Sequence, residues 1–192
     1  MQSDEQMTAF VIDLLKRELP ATYYYHDPAH TLYVLDKIID IAEHSNCTKK
    51  EIALLKTAAL WHDVGFITIY YGHEKASCTL AKKYLPGYGY SDDDIHKICG
   101  MIMATKMPQS PHNKLEEIIA DADLEYLGTK NAAVMAERLF RELHALDPGL
   151  TKEQWHKQQI TFLQHHDYFT RFCKENRGPV KSAYLKELKD KI

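Results

Sequence analysis

Apolar residues recur at helical spacing along most of the chain, with helix-start and helix-stop residues between them. A capping box of Ser3 and Gln6 precedes the first apolar face, which ends before Pro20. Asp27 followed by Pro28 starts the second, because aspartate caps a helix and proline suits its first position. Further helices are predicted from Thr48 to His62-Asp63, from Glu74 to before Pro86, from Ser91, over Leu115 to Tyr126, at about 130–146 and 151–175, and from Pro179.

One segment departs from this helical pattern. Residues 66–73, FITIYYGH, are aromatic and β-branched but too short to form a sheet of their own, so we predict a loop. No internal repeat or linker separates the helices, and a chain of 192 residues suits one domain that buries roughly 70% of its unfolded surface. The pattern therefore predicts an all-α, single-domain multi-helix bundle over residues 1–192.

Composition excludes several classes of protein. A formal net charge of −3 provides no basic surface, so we expect no nucleic-acid partner. The four cysteines lie far apart without a CxxC pair, which is typical of reduced thiols. Since the sequence shows neither a signal peptide nor an apolar run of about 18 residues, we expect a cytoplasmic protein without a membrane partner. Histidine is the unusual residue, with 11 copies against 8 glycines, and it points to the candidate chemistry.

The dipeptide His62-Asp63, within ALWHDVGF, is the most informative feature. Adjacent helical residues point roughly 100° apart at about 3.6 residues per turn, so the two side chains can bind one ion only at a helix end. Gly65 is a residue that ends helices. The dipeptide also closes an apolar row that includes Leu55 and Ala59, so we expect His62 to point inward.

Two further positions complete a candidate metal site. His30 lies in the first turn of the helix that Asp27 caps, and Asp123 follows Ile119 by one turn beside an apolar stripe. Asp121 competes with Asp123, because both cannot easily face one ion from a regular helix, and the other would support the ligands by hydrogen bonding. Two imidazoles and two carboxylates form a mixed nitrogen and oxygen site, which suits Mn, Fe, Co, Ni or Mg.

The order His30, His62-Asp63, Asp123 resembles the H…HD…D signature of the HD-domain superfamily of metal-dependent phosphohydrolases. The flanking HTLYV, ALWHDVGF and Asp-Leu steps agree. The resemblance implies a metal-binding core over about 22–128, a helical extension over 129–192, and one tightly bound divalent cation, with a second left open. It also implies that a metal-activated water hydrolyses a small phosphoester, with a nucleotide favoured, either a phosphomonoester or a cyclic phosphodiester. Asp63 would then be both ligand and catalytic residue.

The segment YYHDPAHT resembles the YHN-x-x-H step of the cyclic-nucleotide phosphodiesterases of the same superfamily. This resemblance implies that His26 is the general acid and that His30 binds metal. Asp27 stands where that pattern has asparagine, and it also serves as the predicted helix cap.

Three more residues are candidates for contact with substrate. His73-Glu74 in GHEKAS resembles an HE step that follows the HD pair in several members, which implies binding of substrate or of a second metal through water. Lys106 offers a cationic charge to a substrate phosphate. Its segment MIMATKMP has no histidine, unlike many two-metal members, which favours one ion.

Two alternative functions remain open at this point: a non-catalytic nucleotide-binding sensor and a di-iron oxygenase of HD type. The final third has an amphipathic segment, WHKQQITFLQHHDYFT, which fits either a cover for the bundle or the face of a homodimer. Its His166 shares an apolar row with Phe162 and Phe169, which predicts a core histidine rather than a ligand.

Overall fold

The computed structural model describes residues 4–191, and this part of the chain consists of helices and connecting segments without a strand. The predicted all-α architecture is confirmed. Ser3, of the predicted first capping box, lies outside the described residues. The helices are α1 Asp4–Glu18, α2 Pro28–His44, α3 Lys49–Trp61, α4 His73–Tyr84, α5 Asp92–Ala104, α6 Lys114–Asp123, α7 Ala132–Leu146, α8 Lys152–His165, α9 Arg171–Asn176 and α10 Gly178–Lys189.

Local capping explains where the helices that carry the candidate site begin. Asp27 accepts the backbone N–H of His30 at 2.9 Å, and Pro28 occupies the first turn of α2. Thr48 and Glu51 form a reciprocal capping box at the start of α3, with contacts of 3.2 and 2.7 Å. These caps satisfy N–H groups that a helix start leaves without partners, so both starts were predictable from sequence.

Two apolar cores hold the helices together. In the first, α2 packs against α3 and α6, and α5 packs against α3, α4 and α6. The second is smaller and joins the segment after α6 to α8 and α10 through Tyr25, Leu127 and Leu163. Full burial of each large aliphatic side chain contributes about 1.5–3 kcal/mol, so the first core supplies a rigid frame. Its fully buried members include Val34, Ile38, Ile41, Leu55, Ile98, Ile102, Ile118 and Ile119.

The predicted continuous helix at 151–175 is wrong. Helix α8 ends at His165, and α9 begins only at Arg171. The fully buried carboxylate of Asp121 accepts the backbone N–H groups of Phe169 and Thr170, each at 2.8 Å, and the Thr170 hydroxyl at 2.6 Å. A continuous helix would keep those N–H groups for itself, and it would leave a buried carboxylate without partners.

The predicted loop at 66–73 is correct only in part. A 3-10 helix covers Val64–Ile67, and α4 begins at His73, so irregular backbone is confined to the residues between them. Within residues 4–191, no helix combines the length and apolarity needed to cross a membrane.

Candidate metal centre and active-site cavity

The predicted ligands converge from three helices. His30 projects from the first turn of α2, His62 follows the last residue of α3, and Asp123 is the last residue of α6. One ligand atom from each of these three residues lies within 4.8 Å of the others. Asp63 joins them, because its Oδ2 lies 3.1 Å from His62 Nε2 and 3.5 Å from His30 Nε2. The structure thus brings together two imidazoles and two carboxylates.

The hydrogen bonding of His62 leaves a lone pair directed at this cluster. Its Nδ1 lies 2.7 Å from the carbonyl oxygen of Ala59, which can only accept, so Nδ1 carries the proton. His62 Nε2 and Asp63 Oδ2 are buried and lack a hydrogen bond of acceptable geometry among the described residues. Buried polar atoms without partners are costly, and a divalent cation would satisfy both. The donor set therefore fits such a cation.

Charge within the cluster is strongly coupled. Burial lowers the pKa of His62, but Asp63 and Asp123 outweigh it and raise this pKa well above its ordinary value. Burial raises the pKa of Asp123, but hydrogen bonds and charge from His30 and His62 hold it well below its usual range. The same atoms would bind a cation, so protons and metal compete for them.

Close packing of α4 holds the dipeptide in place. The Ser77 hydroxyl donates to the carbonyl of His62 at 2.6 Å and accepts the N–H of Gly65 at 2.8 Å. A Cβ atom at Gly65 would overlap the carbonyl of His73 and lie 2.7 Å from the Ser77 nitrogen. Glycine is therefore required here because α4 packs closely against it. This is a second reason for glycine, in addition to its place just after the end of α3.

His26 lies beside the cluster and is held by Glu142, which sequence analysis missed. The Nδ1 of His26 forms a hydrogen bond with the Glu142 carboxylate. This fully buried carboxylate also accepts the backbone N–H groups of Tyr25 and His26, at 2.8 and 3.0 Å, and the Tyr70 hydroxyl at 2.9 Å. Burial raises the pKa of Glu142, but His26 and the backbone donors lower it by a larger amount. The net pKa therefore lies below its ordinary value, which favours the carboxylate.

His73 and Glu74 start α4 next to Asp63. The Nε2 of His73 lies 3.4 Å from Asp63 Oδ1, and its ring stacks on Phe66 with centroids 3.7 Å apart. Burial lowers the pKa of His73, but Asp63 outweighs this effect, and the net shift is upward. Glu74 is buried, and its Oε2 has no hydrogen-bond partner among the described residues. Lys106 is exposed and lines the same cavity as these residues.

Comparison with known proteins places this geometry in a family. The model of the HD domain matches residues 29–125, which are half of the chain and contain all four clustered residues. The chain belongs to the HD-domain family. Membership implies that the protein binds a divalent metal, and the cluster of His30, His62 and Asp123 agrees with that.

The fold is similar to two solved structures. One is a predicted HD superfamily hydrolase from an uncultured Thermotogales bacterium, with a TM-score of 0.64 and 16% identity over 95% of this chain and 89% of that one. The other is Bacillus subtilis YpgQ in complex with ADP, with a TM-score of 0.67 and 19% identity over 98% of this chain and 94% of that one. No curated protein matches the sequence.

Within the HD domain, the structure separates the two competing aspartates. Asp123 reaches the cluster, whereas Asp121 binds the backbone at 169–170 and is not among the clustered residues. His166 is likewise outside the cluster. It is buried, with Nδ1 3.3 Å from the ammonium nitrogen of Lys181, as the prediction of a core histidine requires.

A cavity of about 810 Å³ adjoins the cluster. Asp63, Asp123, His26 and His73 line it, together with residues from α7, α8 and α10. These three helices lie beyond the matched HD domain, so the C-terminal extension forms part of the candidate site. The amphipathic pattern of this extension indicated a buried face but not what that face surrounds.

Proposed function

We propose that this HD-domain protein is a metal-dependent phosphohydrolase that hydrolyses a small phosphoester, with nucleotides as the favoured substrate class. The observation that carries the proposal is the convergence of His30, His62, Asp63 and Asp123 beside a cavity of about 810 Å³. Within the described residues, His62 Nε2 and Asp63 Oδ2 have no hydrogen-bond partner. Cavities of roughly 300–1,000 Å³ hold small ligands. The complex of YpgQ with ADP supports a nucleotide.

In this proposal the four residues hold one divalent cation, of Mn, Fe, Co, Ni or Mg. Such a cation polarises a phosphoryl oxygen and makes its bound water acidic enough to act near neutral pH. Asp63 is suited to two tasks, because its Oδ2 faces the imidazoles while its Oδ1 faces His73. It would hold the cation with one oxygen and orient the attacking water with the other.

His26 would protonate the leaving oxygen. Because its Nδ1 is bonded to Glu142, Nε2 is the nitrogen available to carry a proton to substrate. The carboxylate of Glu142 orients the imidazole, and its contacts with Tyr25 and Tyr70 fix its own position. Glu142 therefore acts as a positioning residue for the acid.

The remaining predicted residues would contact substrate. His73 lies beside Asp63 at the cavity wall, and Lys106 provides a cationic charge for a phosphate oxygen. Glu74, with an unpartnered buried oxygen, would accept a hydrogen bond from substrate or from metal-bound water.

The test combines metal analysis with substrate screens. Purified protein should retain a divalent metal and hydrolyse members of a phosphatase and phosphodiesterase panel supplemented with Mn, Co, Ni or Mg. Asp63→Asn should abolish both properties. The matched control, Asp93→Asn, removes an exposed carboxylate on α5 and should retain both. Metal-dependent turnover by Asp63→Asn would contradict the proposal, and nucleotide binding without turnover would favour a sensor.

A further inference from the structure

One wall of the cavity is made mostly of apolar and aromatic side chains, with Gln158 and Gln159 of α8 beside them. Helix α7 contributes Leu139 and Leu143, α8 contributes Trp155 and Phe162, and α10 contributes Tyr184. Protein interiors are packed closely and leave few voids larger than water, so an apolar space of this size beside reactive groups is typical of a ligand site.

The carboxylates and imidazoles that line the cavity lie at or beside the metal cluster rather than on this wall. Asp63 and Asp123 belong to the cluster, His73 lies next to Asp63, and Glu74 lies next to His73. A phosphate bound at the cluster would leave the apolar wall to the other part of an ester, because burial of unpaired charge against apolar side chains is costly.

We infer that the wall formed by Leu139, Leu143, Trp155, Phe162 and Tyr184 is a leaving-group subsite. It selects phosphoesters with a bulky, planar, apolar leaving group over small hydrophilic esters. The inference rests on the proposed function. In the reaction, water forms the new P–O bond, the P–O bond to the leaving alcohol breaks, and the leaving oxygen takes up a proton, which yields phosphate and the alcohol.

The test uses pairs of substrates that differ in bulk but not in the reacting bond. Adenosine 5′-monophosphate and ribose 5-phosphate share a primary leaving alcohol, and 2-naphthyl and phenyl phosphate share a phenolic one. With the metal-loaded full chain, the bulky member of each pair should have a kcat/KM higher by roughly tenfold or more.

Two variants connect the selectivity to the wall. Phe162→Ala removes a ring from it, and Ala136→Leu adds volume inside the cavity without removing a contact. Each should raise KM for 2-naphthyl phosphate by roughly tenfold while changing KM for phenyl phosphate much less. Val134→Ala is the matched control, since Val134 lies on α7 but is 61% exposed and does not line the cavity.

The outcomes separate this inference from the proposed function. Equal kcat/KM within both pairs, with metal-dependent hydrolysis intact, would overturn the subsite and leave the proposed function standing. Absence of turnover for every ester would contradict the proposed function. In that case calorimetric binding of 2-naphthyl and phenyl phosphate to metal-loaded protein decides the subsite, because equal affinities would overturn it.

Discussion

The imidazole of His26 and the buried carboxylate of Glu142 form a hydrogen-bonded pair that connects the segment before α2 to the inner face of α7. The same carboxylate accepts the backbone N–H groups of Tyr25 and His26 and the hydroxyl of Tyr70, so three further groups fix its position. The proposed general acid is therefore held by a residue beyond the matched HD domain.

Loss of this pair should impair proton transfer more than substrate binding. His26→Ala should lower kcat by roughly 100-fold or more, and Glu142→Gln by about tenfold to a hundredfold, with smaller changes in KM. Steady-state kinetics of the metal-loaded variants measure kcat and KM separately, and a loss confined to KM would contradict the proposed role of the pair.

A double-variant cycle checks that the two residues act together. The variant that combines His26→Ala with Glu142→Gln should be no slower than His26→Ala alone. Glu137→Gln, an exposed change on the same helix at a residue paired with Lys152, should behave like the unmodified protein. Multiplicative losses in the double variant would show that Glu142 does not act through His26.

Substitution of Gly65 tests whether glycine is needed there for the close packing of α4 or only because α3 ends nearby. A Cβ atom in Gly65→Ala would overlap backbone of α4, and overpacking of this kind costs about 1–3 kcal/mol of unfolding free energy. Gly87→Ala is the matched control, because no atom lies within 4 Å of its added Cβ. Urea denaturation of both variants measures the difference, and equal stabilities would contradict the packing argument.

The two aspartates of α6 should give opposite phenotypes. Asp121→Asn weakens the contacts to Phe169 and Thr170, and it should lower the free energy of unfolding by about 1–3 kcal/mol while the folded protein retains metal. Asp123→Asn should leave the fold intact but release metal on dialysis. Elemental analysis and chemical denaturation of both variants test this, and metal loss from folded Asp121→Asn would reverse the assignment.

Stability should fall in mild acid because of His166. Burial and the nearby Lys181 lower the pKa of His166 to about 4. In the unfolded chain the pKa of a histidine is about 6.5. Between about pH 4 and pH 6.5 the unfolded chain therefore binds a proton that the folded chain does not. The unfolding free energy should therefore decrease by about 3 kcal/mol as the pH falls through this window.

His166→Phe should remove most of this pH dependence, which urea denaturation at several pH values would measure. His165→Phe is the control, since His165 is an exposed histidine at the end of α8, directly before His166. An unchanged slope in His166→Phe would assign the acid sensitivity to other groups.

Local signals made much of the fold predictable. The start of α2 at Asp27-Pro28 and the start of α3 at Thr48 depend on caps a few residues away. The H…HD…D pattern predicted His30, His62 and Asp123 together, with apolar rows beside His62 and Asp123 as further support, and the structure does bring the three together. Such features depend on short stretches of sequence.

The features that were missed depend on distant partners. The break at 166–170 exists because Asp121, far away in sequence, competes for the backbone N–H groups of Phe169 and Thr170. Similarly, Glu142 is one charged residue among several on an amphipathic helix, and only the tertiary contact with His26 distinguishes it. Periodicity detects a buried face but does not identify what meets it.

The separation of His26 from Glu142 along the chain has a consequence for synthesis. During synthesis Asp123 is the last of the four clustered residues to be made. Glu142, which holds His26, is made later as part of α7. A nascent chain would thus possess the four clustered residues before the proposed proton donor is held in place. Helices α7, α8 and α10, which follow the HD domain in the sequence, would then enclose the cavity beside a cluster that is already complete.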